Sequence, residues 1–579
     1  MSTNEEIAKI LSEFSKILSL KGDDRFKIAA YEKAAQMISE LGESLEEIYQ
    51  NRGLSGLDEI EGVGSSIAEK IAEYIEKGKV KELEKLKKSV PKIEMNLLEV
   101  RGIGPKTAKL LSSKLKAVSL EQVEKKLARG EGSFLGEKNC LRIVNALKSY
   151  RGLGQRMLIS QAKQKAEVLI SYLEKTKLAK KTMAVGSLRR GKETIGDIDL
   201  IAVSHDPASL LDHFAKFPDF AKLINKGDTK SSALYKNGIQ VDLEILDEDK
   251  YGSLLQHFTG SKEHNIALRV YAQSKGLSLS EHGIKSRRSG RQVLIKCPEE
   301  EDVYKKIGLE FIPPELRENC GEIEAAIKRK LPELVKISDL RGDLHVHSSH
   351  SDSSASIEEI VKEAVRFGYE YVAICDHTES LKVAKGLDYR GFAMRQKEIE
   401  RLRKKYPKIR ILSSCEANIL ADGSLDIDEK TAALFDLVTA SIHTGLNQPP
   451  EKITQRLIKA ISNKLTDIIG HPTGRILNAR APYEADWSQI FKLARQMNVA
   501  LEINSLPERL DLSDSLILEA KKFSNYFAIS SDSHSLHQMG NLDYGIMTAR
   551  RGWCESKDII NSSPYRDLLK WLEKKRKTS

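Results

Sequence analysis

The chain has 579 residues, of which 40% are hydrophobic and 30% charged, and its formal net charge is +10. That length calls for several domains, and the composition fits folded globular domains rather than a disordered chain. No run of 18 apolar residues is present, so no membrane span is expected, and the positive balance is compatible with a polyanionic partner. The N-terminus, MSTNEEIAKILSEF, is acidic and helical in period and lacks the basic start and apolar core of a signal peptide. The six cysteines are scattered, with no C-x-x-C pair, which points to reduced thiols and a cytoplasmic location.

Residues 1–80 read as short amphipathic helices, with Ile7, Ile10, Leu11, Phe14 and Leu18 at helical spacing. The stretch Leu57 to Lys70 contains Gly62-Val63-Gly64, and about forty residues later Leu97 to Ala108 contains Gly102-Ile103-Gly104. Each reads as helix, glycine hairpin, helix, and resembles the helix-hairpin-helix motif. Glycine permits the tight turn, and N–H groups at the start of the second helix then face a phosphate. Gly62, Gly64, Gly102 and Gly104 are therefore candidate DNA-backbone contacts, which position DNA without reading its sequence. A degenerate third copy is placed at Gly130–Leu147, around Gly136-Glu137-Lys138. An ordinary αα-hairpin with a glycine turn is the plain alternative for each copy.

A helix over Gln161–Glu174 leads to a strand at Lys181–Val185 and then to Gly186–Leu200, GSLRRGKETIGDIDL. Asp197-Ile198-Asp199-Leu200-Ile201 alternates with period two, so Asp197 and Asp199 share one face of a strand. Two such carboxylates repel unless a divalent cation lies between them, and Mg²⁺ commonly joins one or two carboxylates to substrate phosphates. Gly186-Ser187 and the cluster Arg189, Arg190 and Lys192 suit a triphosphate. Asp-x-Asp alone would read as a solvated strand. Ile239–Ile245 is a second alternating strand and adds Asp242. Three aspartates on two strands beside a phosphate loop define a two-metal nucleotidyl-transfer site, with ions roughly 4 Å apart.

Gly186-Ser187, Arg190, Gly196-Asp197-Ile198-Asp199 and Val241-Asp242 together resemble the palm of family X DNA polymerases, the group related to DNA polymerase beta. Phe258-Thr259-Gly260-Ser261-Lys262-Glu263-His264-Asn265, followed by Arg269, is similar to that family's nucleotide pocket. The resemblance implies that Asp197, Asp199 and Asp242 hold two Mg²⁺ ions. It implies that Asp242 helps activate the primer 3′-OH, and that Arg190 with Gly186 and Ser187 holds the triphosphate. Phe258, Gly260 and Asn265 would meet the incoming nucleotide and Arg269 the template side. His257 stands where polymerase beta has a tyrosine, which leaves sugar discrimination open. In the first domain the resemblance puts Lys70 at the position of a 5′-deoxyribose-phosphate lyase nucleophile, with Lys27 and Tyr31 in the 5′-phosphate pocket. Phe26 and Ser66 depart from that pocket, replacing a histidine and a lysine. A lyase lysine needs a lowered pKa, and a lysine that merely binds backbone is the equal alternative.

The implied organisation is an 8-kDa-like helical domain at 1–80, helical fingers at 81–155, an α/β nucleotidyltransferase palm at 156–250 and a nucleotide-selecting subdomain at 251–315. Pro313-Pro314 and a charged helix over Glu315–Lys330 then read as a linker, assigned to 316–340.

Residues 341–579 carry a second chemistry. Short apolar runs recur between helical segments, and several end on a metal-type ligand. The ligands so placed are His345 and His347, His377, Glu416, His443, His471, and finally Asp532 and His534. Roughly seven strands alternating with helices predict a closed or nearly closed α/β barrel with its function at the strands' C-terminal ends. Imidazole and carboxylate donors suit Zn²⁺, Mn²⁺ or Fe, and they exceed one ion's needs. Asp352 completes the set, with His350 as the competing candidate. The pattern resembles the PHP (polymerase and histidinol phosphatase) domain, which implies up to three ions, Mn²⁺ or Zn²⁺, and a distorted β/α barrel. The resemblance further implies a Mn²⁺-favoured 3′–5′ exonuclease, with room for 3′-phosphatase or abasic endonuclease activity besides. The basic tail from Lys570 to Lys577 is compatible with nucleic acid, though such tails are usually just solvated.

The expected protein is thus multidomain: an all-α helix-hairpin-helix N-terminal region, a polymerase beta-like palm and a C-terminal PHP barrel. It would act as a monomer on gapped or primer-template DNA with dNTPs, filling gaps in base excision repair. A phosphoesterase using its N-terminal half only as a DNA-binding module is the alternative, and a non-catalytic end-bridging scaffold is a third reading. The intact carboxylate triad argues against the first of these, and two complete metal sets argue against the second.

Overall fold

The computed structural model describes residues 3–39, 44–60, 62–98, 100, 103–136, 139–140, 143–144, 147, 156–246, 248–288 and 291–578. The chain divides into two units. One comprises Met1–Gln155 with Leu234–Gln240 and Ile266–Ser274, and the other comprises Arg156–Ala233, Val241–Asn265 and Lys275–Ser579.

The N-terminal segment of the first unit is helical: α1 (Thr3–Lys21), α2 (Arg25–Ser39), α3 (Leu45–Asp58), α4 (Ser65–Lys77), α5 (Lys81–Lys88), α6 (Lys92–Leu98), α7 (Pro105–Leu115) and α8 (Leu120–Ala128). The helical stripe Ile7, Leu11, Phe14 and Leu18 is buried, and Phe14 stacks on Tyr31 at 5.0 Å. The repeat legible in the sequence is also a repeat of backbone bonds. Val63 N–H donates to Ile60 and Ile103 N–H donates to Val100, while Ala68 donates to Gly64 and Ala108 to Gly104. Every residue in the second set lies forty positions after its counterpart. Val63 and Ile103 are the buried apolar plugs of their hairpins. Gly62 has φ +88°, which favours glycine.

From Arg156 on, α9 (Ile159–Glu174) precedes a five-stranded sheet. Its strands are β1 (Ala179–Ala184), β2 (Asp197–Ser204), β3 (Phe220–Lys226), β4 (Lys230–Tyr235) and β5 (Gln240–Leu246), in the spatial order β1-β2-β5-β4-β3. Strand β1 starts at Ala179 rather than Lys181, because its register with β2 shifts between those residues and the irregularity breaks the alternation. The sheet is followed by α10 (Tyr251–Thr259), α11 (Lys262–Ser274), the antiparallel strands β6 (Leu277–Ser280), β7 (Gly283–Arg288) and β8 (Arg291–Ile295), and α12 (Glu300–Ile307).

The segment after Pro313-Pro314 departs from the single charged helix expected at 315–330. Only Glu322–Ile327 is α-helical, preceded by Gly321 at φ +103°. Tertiary contacts override the charged pattern here. Arg317 is fully buried against Glu300 and the Ile312 carbonyl, and Glu322 is buried against His264 Nδ1 at 2.6 Å.

Seven parallel strands complete the unit: β9 (Gly342–Val346), β10 (Tyr371–His377), β11 (Arg410–Asn418), β12 (Leu437–Ser441), β13 (Ile468–Ile469), β14 (Ala500–Asn504) and β15 (Phe527–Ser530). They pair in sequence order. At the C-terminal end of β9, Val346 bridges Ser533 in parallel, so the sheet is a nearly closed barrel. Every residue of β9, β10, β12, β14 and β15 is buried, as expected for parallel strands covered on both faces. Between the strands lie α13 (Ile357–Arg366), α14 (Tyr389–Lys405), α15 (Pro450–Ser462), α16 (Trp487–Gln496) and α17 (Asp514–Lys521), and after the last strand come α18 (Leu542–Arg551) and α19 (Tyr565–Thr578). Helix α13 starts with a Ser356/Glu359 capping box and lays Ile357, Ile360, Val361 and Ala364 against Val372, Ile374 and Ile411. Truncating one of these, for example Ile374→Ala, costs roughly 2–5 kcal/mol. Among the described residues, no helix is long and apolar enough to cross a membrane.

Candidate active sites and metal centre

The β2 alternation places Asp197 and Asp199 on one face, and Asp242 enters from the neighbouring β5. The three carboxylates feel one another. Burial pushes the Asp199 carboxyl up to about 7, with Asp197 and Asp242 adding to the rise. Burial and then Asp242 raise Asp197 as well. Such a cluster needs positive charge before it is stable as three anions.

Gly186 lets the loop before β2 lie against this cluster. Its φ is +61°, and a Cβ there would lie 2.3 Å from Asp199 Oδ2. The loop runs from a single helical turn, Gly186–Arg189, to the start of β2, with Ser187 half-buried in that turn. The two arginines take different carboxylate partners. Arg189 is bound to Glu300 through Nη1 at 2.9 Å and Nη2 at 2.7 Å, and to Thr259 at 2.6 Å. Arg190 donates from Nη1 to the Thr259 carbonyl at 2.8 Å and from Nε to Glu318 at 2.9 Å.

Phe258 and Gly260 lie at the end of α10, and Phe258 stands edge-on to His257 at 5.2 Å. Asn265 is held by two bonds. Its Nδ2 donates to the His257 carbonyl at 2.7 Å, and its Oδ1 accepts from Gln256 at 2.9 Å. A Cβ at Gly260 would lie 2.4 Å from that Oδ1, so the glycine lets the amide sit against the turn. Arg269 lies one turn later on α11 and is half-buried.

In the helical unit, Gly64 and Gly104 form the N-caps of α4 and α7. Gly102 lies outside the described residues, as do Glu137 and Lys138 of the third copy. That copy keeps the bond of the first two, with Cys140 N–H donating to the Gly136 carbonyl at 3.0 Å. Lys70 packs beside the Phe14 and Tyr31 rings, and its ammonium donates to Ser66 Oγ at 3.1 Å and meets Glu82 at 3.1 Å. Burial presses the Lys70 pKa down, but the Glu82 hydrogen bond and Tyr31 outweigh it, so it lies above the ordinary lysine value. Lys27 instead pairs with Asp23 at 3.5 Å.

At the barrel mouth, all nine expected ligands converge. His377 Nδ1 lies 3.0 Å from Glu416 Oε2, His443 Nε2 3.2 Å from Glu416 Oε1, and His471 Nε2 2.8 Å from the same oxygen. His347 Nε2 lies 3.2 Å from Asp532 Oδ1 and His345 Nε2 3.6 Å from it. Asp352 Oδ2 lies 3.5 Å from His377 and 3.4 Å from His534. Three ligand groups have mutually close donor atoms: His347, Asp352, His377 and His534; His345, His347 and Asp532; and His377, Glu416 and His443. His350 stands apart, paired with Glu398 at 2.9 Å, so Asp352 is the better fit.

The donor set fits divalent cations. Nε2 of His345 and Nδ1 of His347 are buried without a hydrogen-bond partner among the described residues, which is costly unless a ligand satisfies them. Despite burial, the surrounding imidazoles of His443, His377 and His345 hold Glu416 well below the usual carboxylate range. Three further residues at this mouth were not singled out from sequence. Glu502 on β14 accepts from His345 Nδ1 at 2.7 Å and from the His471 N–H at 2.6 Å. Asn418 Oδ1 meets His443 Nδ1 at 2.6 Å. Arg509 places Nε 3.7 Å from Asp532 and has a buried, unpartnered Nη1. A charge inside the apolar run Ala500–Ile503 was the available signal for Glu502. The other two lie on segments without a local pattern.

A helix-hairpin-helix unit, a palm-like carboxylate site and a histidine-lined barrel define a family X-type DNA polymerase joined to a PHP domain. Comparison with known proteins agrees. The family model described as DNA polymerase beta thumb matches residues 254–318, a helix-hairpin-helix domain matches 2–80, a SAM-like helix-hairpin-helix tandem matches 54–117 and 94–149, and the PHP domain matches 343–506. The DNA polymerase/3′-5′ exonuclease PolX of Bacillus subtilis (strain 168) is 36% identical over 576 residues, covering 98% of this chain and 99% of the relative. DNA polymerase lambda of Rattus norvegicus is 25% identical over 344 residues, covering 54% of this chain and 56% of that protein. A protein named "Probable phosphatase" from Thermoanaerobacter sp. (strain X514) is 28% identical over 247 residues, covering 41% of this chain and 96% of its own length. The chain belongs to the PolX family of DNA polymerases with a C-terminal PHP domain.

Proposed function

We propose that Asp197, Asp199 and Asp242 carry nucleotide addition to a primer 3′-OH, and that the barrel-mouth cluster hydrolyses DNA from the 3′ end. The observation that carries this reading is the pair of separate donor clusters, one of three carboxylates on adjacent strands and one of imidazoles around Glu416. Bound divalent cations, Mg²⁺ at the aspartates and Mn²⁺ or Zn²⁺ at the barrel, supply charge neutralisation and activation of water there.

The protein's own groups do the rest. Asp242 takes up the proton side of primer activation. Gly186, Ser187 and Arg190 hold the triphosphate in line with the 3′-OH, so that pyrophosphate leaves. Phe258, Gly260 and Asn265 seat the nucleotide, and Arg269 faces the template side. Gly62, Gly64, Gly102 and Gly104 present backbone N–H groups to DNA phosphates. At the barrel, Glu502 and Asn418 orient His345 and His443, and Arg509 offers its guanidinium to the scissile phosphate. We assign the polymerase to short gaps of the kind left in base excision repair. The segments 1–80, 81–155, 156–250, 251–315 and 341–579 are its working divisions, and residues 316–340 connect the last two.

A one-nucleotide gapped duplex tests the reading. With Mg²⁺ and the complementary dNTP the gap is filled, and with Mn²⁺ and no dNTP the primer is shortened from its 3′ end. No extension by the wild-type chain would contradict the polymerase assignment.

A further inference from the structure

The phosphate loop between β1 and β2 is held in place by the C-terminal barrel. On one side stands Arg551, the last residue of α18, which is 7% exposed. Its Nη1 donates to the Arg190 carbonyl at 2.8 Å and to Glu318 Oε1 at 3.0 Å. Its Nε and Nη2 both donate to Asp514 of α17, at 2.8 and 2.5 Å. At Gly191 the loop lies directly on α18, and a Cβ there would be 3.1 Å from Met547 Cε. On the other side Glu193 accepts from Arg475 at 2.6 Å, and Arg475 Nε donates to the Arg509 carbonyl at 2.9 Å.

Glu318 is the point where these contacts meet the chemistry. One carboxylate is shared among Arg190 at 2.9 Å, Lys192 at 3.3 Å and Arg551 at 3.0 Å. Arg551 therefore does two things. It fixes the backbone that carries Arg190, and it draws on the carboxylate that otherwise neutralises Arg190 and Lys192. Both effects keep positive charge in the loop for an incoming anion.

We infer that Arg551, a residue of the PHP barrel, is a positioning residue of the polymerase centre, setting Arg190 for the dNTP triphosphate. The inference rests on the assignment of Arg190 to the triphosphate. That assignment is checked separately by Arg190→Ala, which raises the KM for dNTP if it is right.

The experiment uses the full-length protein on a one-nucleotide gapped duplex with Mg²⁺, measuring KM and kcat for the complementary dNTP, and 3′–5′ hydrolysis with Mn²⁺ on the same preparation. Arg551→Ala raises KM about tenfold, the loss expected for charge-assisted hydrogen bonds, with kcat and hydrolysis within about threefold of wild type. Arg551→Lys recovers part of the loss. Asp514→Asn, which loosens the anchor while keeping Arg551, gives a smaller rise. An unchanged KM in Arg551→Ala, with Arg190→Ala impaired, overturns the inference and leaves the assignment of Arg190 standing. A parallel fall of KM-dependent rate, kcat, hydrolysis and Tm in both Arg551→Lys and Asp514→Asn also overturns it, because the contact would then be merely structural.

Discussion

Glu502 accepts a hydrogen bond from His345 Nδ1 at 2.7 Å, deep in the barrel where neither side chain is exposed. That bond fixes the tautomer with Nε2 turned toward Glu416 and Asp532. The other Glu502 oxygen takes the His471 N–H at 2.6 Å, so one carboxylate sets two ligands. Carboxylates behind metal-binding histidines commonly matter 10–100-fold. Glu502→Ala should lower 3′–5′ hydrolysis by roughly that factor while gap filling stays near wild type, and Mn²⁺ affinity measured by calorimetry should fall in parallel. Unchanged affinity and hydrolysis would remove Glu502 from the site.

Gly186 makes a different kind of prediction. A Cβ at this position meets Asp199 Oδ2 at 2.3 Å and sits on backbone at φ +61°. Gly186→Ala should displace the carboxylate or the loop and reduce gap filling at least tenfold, with hydrolysis retained. Folding stability should fall by about 1–2 kcal/mol, read by denaturant titration.

Lys70 is the place where resemblance and local chemistry pull apart. A Schiff base needs the neutral amine, and Glu82 favours the ammonium. A raised pKa means that the neutral form appears only at higher pH. Borohydride trapping on a 5′-deoxyribose-phosphate substrate should therefore be weak near neutrality and grow as pH rises. Glu82→Gln should move that profile to lower pH, and Lys70→Ala should abolish it. Equal trapping by wild type and Lys70→Ala would show that Lys70 is not the nucleophile.

Much of this was legible in the chain because local periodicity and function coincide. The β2 alternation decides which face Asp197 and Asp199 occupy, and several apolar runs of the barrel lead to a histidine or carboxylate near the strand end. The glycine hairpins were legible for the same reason, since Gly62 needs a positive φ. What was hidden depends on partners remote in sequence. Arg189 and Arg190 are adjacent and chemically alike, yet Glu300 takes the first and Glu318 the second. Likewise the charged stretch from Glu315 reads as a linker helix until its Arg317 is seen to pair with Glu300 and its Glu322 with His264. Arg551 carries no local signal, because its meaning lies in a loop 361 residues away.

Whether synthesis and 3′ hydrolysis occur at two separate centres is tested most directly by a pair of variants on one gapped duplex. Asp197→Ala should abolish dNTP-dependent extension with Mg²⁺ and keep 3′–5′ shortening with Mn²⁺. The double variant His345→Ala/His347→Ala should show the reverse. Loss of both activities in Asp197→Ala, or wild-type shortening by the double histidine variant, would contradict it.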